Sequence, residues 1–103
     1  MKNFILVILI VLAVFRLNAQ NTSVKIGLLK YDGGGDWYAN PTSLPNLIKF
    51  CNDNLNTNIY PDYETVHVGS SELFSCAMVH LTGHGNVIFS EAEAENLRTY
   101  LVS

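Results

Sequence analysis

Basic charge is scarce in this chain. Six Lys and Arg stand against nine Asp and Glu, a formal net charge of −3, and the six are spread singly along 103 residues. An electrostatic nucleic-acid binder shows a basic face, so that class is excluded. No internal repeat, low-complexity run or linker interrupts the sequence, and its length allows one domain at most. No apolar run reaches the roughly 20 residues that a membrane-spanning helix needs. No G-K-[ST] follows a glycine loop and no G-x-G-x-x-G occurs, which removes the P-loop and the dinucleotide fingerprint. Cysteine is nearly absent: only Cys51 and Cys76 are present. Neither stands beside a Gly-rich elbow or a basic residue that would lower its pKa. Both are expected as buried free thiols, small core hydrophobes, with a Cys51–Cys76 disulfide as the alternative that export would allow.

The first residues have a different character from the rest. Met1-Lys2-Asn3 is a short positive segment, Phe4 to Phe15 is unbroken apolar, and Leu17-Asn18-Ala19-Gln20 places a small residue before a cut. That is the pattern of a secretory signal peptide. Residues 1–19 are therefore expected to be removed, leaving Gln20 as the new N terminus. The expected location is exported, periplasmic or in the cell envelope, with no stable membrane span after cleavage. No Cys follows the apolar run, so a lipoprotein anchor is not expected.

Beyond the signal the chain alternates strands and helices. Val24–Leu29 is apolar enough for a strand buried on both faces. A helix is expected from Thr42 or Ser43, as cap, to about Leu55, with Leu44, Leu47, Ile48, Cys51 and Leu55 on its apolar face. Asn52-Asp53-Asn54 reads as its frayed end. Thr65–Val68 is the second strand, Ser70 or Ser71 caps a short helical turn, and Ala77–Leu81 is the third strand. His67 and His80 read as satisfied sheet residues. Ser90-Glu91-Ala92-Glu93 fits a capping box. The helix that follows carries Ala94, Leu97, Tyr100, Leu101 and Val102 as its apolar stripe. Such alternation implies a parallel sheet with right-handed crossovers. The expected fold is α/β, a flavodoxin-like parallel sheet with strand order 2-1-3 and flanking helices. Residues 20–103 read as the N-terminal part of one such domain, C-terminally incomplete because Leu101-Val102-Ser103 stops where a fourth strand should follow.

Two glycine segments each follow a buried strand: Asp32-Gly33-Gly34-Gly35-Asp36-Trp37-Tyr38, and Thr82-Gly83-His84-Gly85-Asn86. In open α/β sheets the ligand crevice lies outside the carboxyl ends of the strands. The glycines read either as tight turns or as a backbone cradle for a ligand. Trp37 and Tyr38 read either as core that closes the sheet end or as a rim that stacks on a ligand. His84 lies between two glycines just past a strand end, where imidazole serves as general acid or base. Asp32 or Asp36 would orient it. One imidazole with two carboxylates is a weak metal signature, and no metal site is expected. No cofactor is indicated.

These same residues carry a family resemblance. Leu29-Lys30-Tyr31-Asp32-Gly33-Gly34-Gly35-Asp36-Trp37-Tyr38-Ala39-Asn40-Pro41, then Leu44-Pro45-Asn46-Leu47, and later Leu81-Thr82-Gly83-His84-Gly85-Asn86 with Phe89-Ser90, resemble the bacterial domain of unknown function 4159. The resemblance implies a class I glutamine amidotransferase-like architecture. It does not carry that chemistry, because fold alone does not fix function and no Cys sits on an elbow after a strand. The expected function is a ligand-binding or interaction module in the envelope. Its crevice would be formed by Gly33, Gly34, Gly35, Trp37, Tyr38, Thr82, Gly83, Gly85 and Asn86. Its partner would be a small ligand or an envelope protein. The alternative is a hydrolase-like enzyme using His84 with Asp32 or Asp36.

Overall fold

The computed structural model describes residues 2–18 and 23–103, with side chains described for 2–11 and 23–103. The expected cleavage point at Ala19-Gln20 lies outside the described residues. Helix α1 spans Lys2–Asn18, and residues 2–11 are exposed along it. No helix among the described residues is long and apolar enough to cross a membrane.

The sheet is parallel. Strands β1 (Ile26–Lys30), β3 (Glu64–His67) and β4 (Met78–His80) lie in the order β3-β1-β4. Gly27 to Lys30 pair with Glu64 to His67, and Ile26 to Leu28 with Met78 to His80. This is the expected 2-1-3 order among the parallel strands. β1 is central, and the period-2 alternation of a strand divides it between two cores. Ile26 and Leu28 bury with Leu44 and Ile48 of helix α2 (Ser43–Asn54). Leu29 and Tyr31 bury on the other face with Val66, Val68, Leu73 and Cys76, backed by Leu97 and Tyr100 of helix α3 (Glu91–Val102).

A second, smaller sheet was read from sequence as two loops. Strand β2 (Gly33–Gly35) pairs antiparallel with β5 (Gly85–Ile88), with Gly33 opposite Ile88 and Gly35 opposite Gly85. A run of three glycines has no side-chain alternation to betray a strand, and glycine is depleted in strands. The pairing is between backbones.

Helix ends also correct the expectation. No side chain caps α2: Thr42 already has helical backbone angles, φ −95° and ψ −10°. Its hydroxyl is thus not placed as an N-cap requires. Ser43 instead ties back to the Asn40 carbonyl through its hydroxyl, 2.9 Å, and its N–H, 3.1 Å. Asn52 is not frayed. Its amide donates to the Ile59 carbonyl at 2.8 Å and its oxygen accepts from the Ile59 N–H at 2.9 Å, fixing the connection toward β3. On α2 only Leu44 and Ile48 are buried. Leu47 and Leu55 are exposed and Cys51 is half-buried, while Cys76 is buried; both thiols are free.

The capping box on α3 forms as expected. Ser90 Oγ accepts from the Glu93 N–H at 3.2 Å, and Glu93 Oε1 accepts from the Ser90 N–H at 3.4 Å. The face that meets the sheet differs from the expected stripe. Leu97 and Tyr100 pack inward, whereas Leu101 and Val102 are exposed. Asn96 joins the inner face and donates to the carbonyls of Val68, 2.8 Å, and Ser70, 3.0 Å. The Tyr100 hydroxyl donates to the Cys76 carbonyl at 2.8 Å. The spacing 93, 96, 97, 100 follows one side of a helix, and it brings Glu93 to the end of β3.

Candidate functional site

The order β3-β1-β4 sets the loops after β1 and β4 side by side. The chain leaves β1 toward α2 on one face and leaves β4 toward α3 on the other. Such a reversal is the topological switch point, where open α/β sheets bind ligands. Both glycine segments are there. They meet as the strands of the β2–β5 ribbon, so their backbones touch. At Gly34, φ is +85°, and an added Cβ would run into the Asn86 carbonyl.

Beside the ribbon, Asp36 holds His84. One carboxylate oxygen accepts the His84 backbone N–H, and the other lies 3.1 Å from ring Nδ1. An ionised carboxylate only accepts, so Nδ1 carries a proton, and in the neutral ring Nε2 presents a lone pair. The His84 side chain is 79% exposed against 33% for Asp36, so the ring is aimed outward. Trp37 is half-buried and packs on both core clusters, with Lys30 Nζ 5.5 Å from its ring centroid. Tyr38 is exposed, edge-on to Trp37 at 5.6 Å. Thr82 is half-buried, and its carbonyl accepts from the Tyr31 hydroxyl at 2.9 Å. Asn86 is exposed on β5.

The Asp36 carboxyl is drawn below its ordinary value of 3.8, first by the His84 backbone N–H and then by the His84 ring. A depressed carboxyl stabilises the fold in its ionised form. This contribution is complete above pH 3.8 and is lost as the pH falls through the lowered value. Carbon-13 titration of the Asp36 carboxyl should give a midpoint under 3.8. His84→Ala should raise that midpoint only partway, because the larger cause is a backbone group. An Asp36 midpoint at or above 3.8 would show that the contact does not form in solution.

Asp32 does not join His84. Its carboxylate meets His67 Nε2 at 3.0 Å, at the carboxyl end of β3. His67 Nδ1 accepts the Gly69 N–H at 3.0 Å, and Glu93 completes a group of three with them. Sequence reasoning passed over His67 as a sheet residue and Glu93 as a helix cap. The signal for Glu93 was its place on the same helical side as Leu97 and Tyr100. A groove of about 380 Å³ lies elsewhere, between Phe74, Cys76, Tyr100 and Leu101. None of the Asp–His chemistry borders it.

Fold and site together define a parallel α/β protein with two Asp–His pairs among the loops at the carboxyl end of its sheet. The family model described as Domain of unknown function (DUF4159) matches residues 25–103, and the chain belongs to that family. No curated protein and no solved structure matches it.

Proposed function

We propose that this protein is an exported, envelope-associated module that binds a small polar ligand at the switch point, with His84 as the group offered to it. The observation that carries the reading is the use of both Asp36 oxygens on His84. That grip fixes the ring's tautomer and turns Nε2 to solvent. Nε2 accepts a hydrogen bond from a ligand hydroxyl or amide, and the exposed Tyr38 ring offers a flat apolar face. Because the glycine strands are paired, the ligand lies against the ribbon and its flanking side chains. Export is supported by the charged start, the apolar run and the exposed residues 2–11 of α1, a helix whose 17 residues fall below the roughly 20 of a typical bilayer span. Intact mass of the protein from its native host should show Gln20 as the first residue. A mature form that keeps residues 1–15 would remove this part of the proposal.

The parallel order is compatible with the glutamine amidotransferase-like architecture, and we include that architecture in the proposal without thiol chemistry. Cys76 is buried and Cys51 lies on α2. The hydrolase reading has one observation in its favour. A carboxylate-oriented imidazole with a free Nε2 is the base half of a general-base pair, and water would be its nucleophile.

Nitrogen-15 spectra of the full chain, titrated with sugars, carboxylates and phosphates, test both readings. Binding should move the signals of His84, Tyr38 and Asn86. His84→Gln should weaken it about tenfold or more, the scale of one lost hydrogen bond to a charged or oriented group, with little change in the denaturation midpoint. Ligand signals that convert to product over time would favour the hydrolase. Shifts confined to another part of the molecule, or binding indifferent to His84→Gln, would overturn the site.

A further inference from the structure

Asp32, His67 and Glu93 come from three separate places: the connection just past β1, the end of β3 and the first turn of α3. One donor atom from each lies within 4.8 Å of the other two. One contact within the group is already made, and the third residue is held beside it. Asp32 Oδ2 sits 3.0 Å from His67 Nε2, and Glu93 is held from behind by the capping box through Oε1. Its other oxygen, Oε2, is shut off from solvent and has no hydrogen-bond partner. A buried acceptor without a donor has given up its water and gained nothing in return, a cost that grows when the group is charged. Nothing in the capping box needs that oxygen buried, since Oε1 alone completes the box.

Charge points the same way. Two carboxylates and a neutral imidazole sum to about −2, while the N-terminus of α3 supplies only roughly +0.5. The cluster is therefore short of positive charge. A second anion is excluded by the same sum, and a hydrogen-bond donor alone would leave most of the charge in place.

We propose that Asp32, His67 and Glu93 form a binding site for a divalent transition-metal cation of the zinc or manganese kind. Mixed imidazole and carboxylate donors suit such ions, whereas calcium and magnesium prefer oxygen alone. Bonds of about 2.0–2.2 Å to His and carboxylate donors place neighbouring ligands roughly 3 Å apart. The Asp32–His67 contact has that length, and a Glu93 carboxylate oxygen lies within 4.8 Å of both partners. Three protein ligands leave a position open for water or a ligand, the arrangement of catalytic rather than structural zinc. Asp32 at 70% exposure keeps that side open to solvent.

The ring of His67 makes a specific demand. Nδ1 now accepts the Gly69 N–H, so the ring proton is on Nε2 and is shared with Asp32. A cation on Nε2 takes that proton's place. The neutral ring then carries its proton on Nδ1, and the Gly69 N–H must turn away. No proton is gained or lost overall. Cation binding and the release of the Gly69 amide are thus one event. The proposal does not depend on the His84 reading, because it uses none of the same residues.

The test is titration of the full chain with zinc chloride, with magnesium chloride as the comparison, followed by calorimetry and nitrogen-15 spectra. One saturable zinc site is expected, with the Gly69 amide and the signals of Asp32, His67 and Glu93 moving together. Manganese chloride should broaden the same signals. Asp32→Asn and Glu93→Gln should each weaken zinc binding at least tenfold. Glutamine at position 93 preserves the capping box, so α3 stays capped. Asp32 is exposed, so its variant reads the site even where a buried change disturbs folding. The proposal is overturned if zinc does not saturate, if it moves only the His84 and Asp36 signals, if magnesium binds equally, or if the Gly69 amide stays fixed.

Discussion

Replacing Tyr31 with alanine is expected to remove about 3–5 kcal/mol of stability, the range for deleting a buried aromatic ring. Tyr31 is 2% exposed and one of the largest fully buried side chains. Its ring packs with Leu29, Val66, Val68, Leu73 and Cys76, and meets the Phe89 ring edge-on at 6.2 Å. Its hydroxyl donates to the Thr82 carbonyl at 2.9 Å. An added Cβ on Gly35 would lie 2.8 Å from the Tyr31 hydroxyl oxygen, and Gly83 has no room for one either. Tyr31 therefore joins the parallel sheet to β2 and to the segments on either side of β5. Whole domains are stable by only about 5–15 kcal/mol, so Tyr31→Ala could leave little folded protein to measure. Tyr31→Phe keeps the packing and strips the Thr82 carbonyl of its donor, at roughly 1 kcal/mol. Urea unfolding of both variants checks the pair. If Tyr31→Ala cost no more than Tyr31→Phe, the ring would not be the pin between the two sheets.

Much of this architecture was legible in the chain. The β1 run is apolar because its two faces meet two different helices, and the 2-1-3 order follows from strands that alternate with helices. Ser90 and Glu93 announced the start of α3 because a capping box uses fixed spacing and two residue types. The ribbon was not legible, because Gly33-Gly34-Gly35 pairs through backbone groups that every residue has. The face of α3 was misread at its C-terminal end. Of the expected stripe Leu97 and Tyr100 do meet the core, but Leu101 and Val102 are exposed, and Asn96 joins the inner face. That error hid the direction of Glu93. At the site, the approach of an Asp to His84 followed from the two loops leaving adjacent strands. Which Asp pairs with which His did not. Asp32, two residues past the end of β1, meets His67, while Asp36 is carried across the ribbon to His84.

Gly34→Ala is expected to open that ribbon while leaving the parallel sheet folded. At φ +85° an L residue meets the strain of left-handed backbone, roughly 1–2 kcal/mol. The Cβ would also lie in the space of the Asn86 carbonyl, and that group belongs to the backbone of the opposite strand. Backbone cannot rotate out of the way as a side chain can. The less costly response is for β2 and β5 to part. A loss of about 2 kcal/mol or more is expected, below that of Tyr31→Ala because no core side chain is removed. The local effect is larger than the global one. Asp36 and His84 are the residues next to the Gly35–Gly85 pair, so their contact depends on the ribbon staying closed. Amide exchange should quicken across Gly33–Gly35 and Gly85–Ile88 while β1 and β3 remain protected. The Asp36 carboxyl should return toward 3.8, because both His84 groups that depress it would have moved away. Slow ribbon exchange together with an unchanged Asp36 midpoint would show that a methyl group fits at position 34, and that the close approach of the two strands is not what glycine serves there.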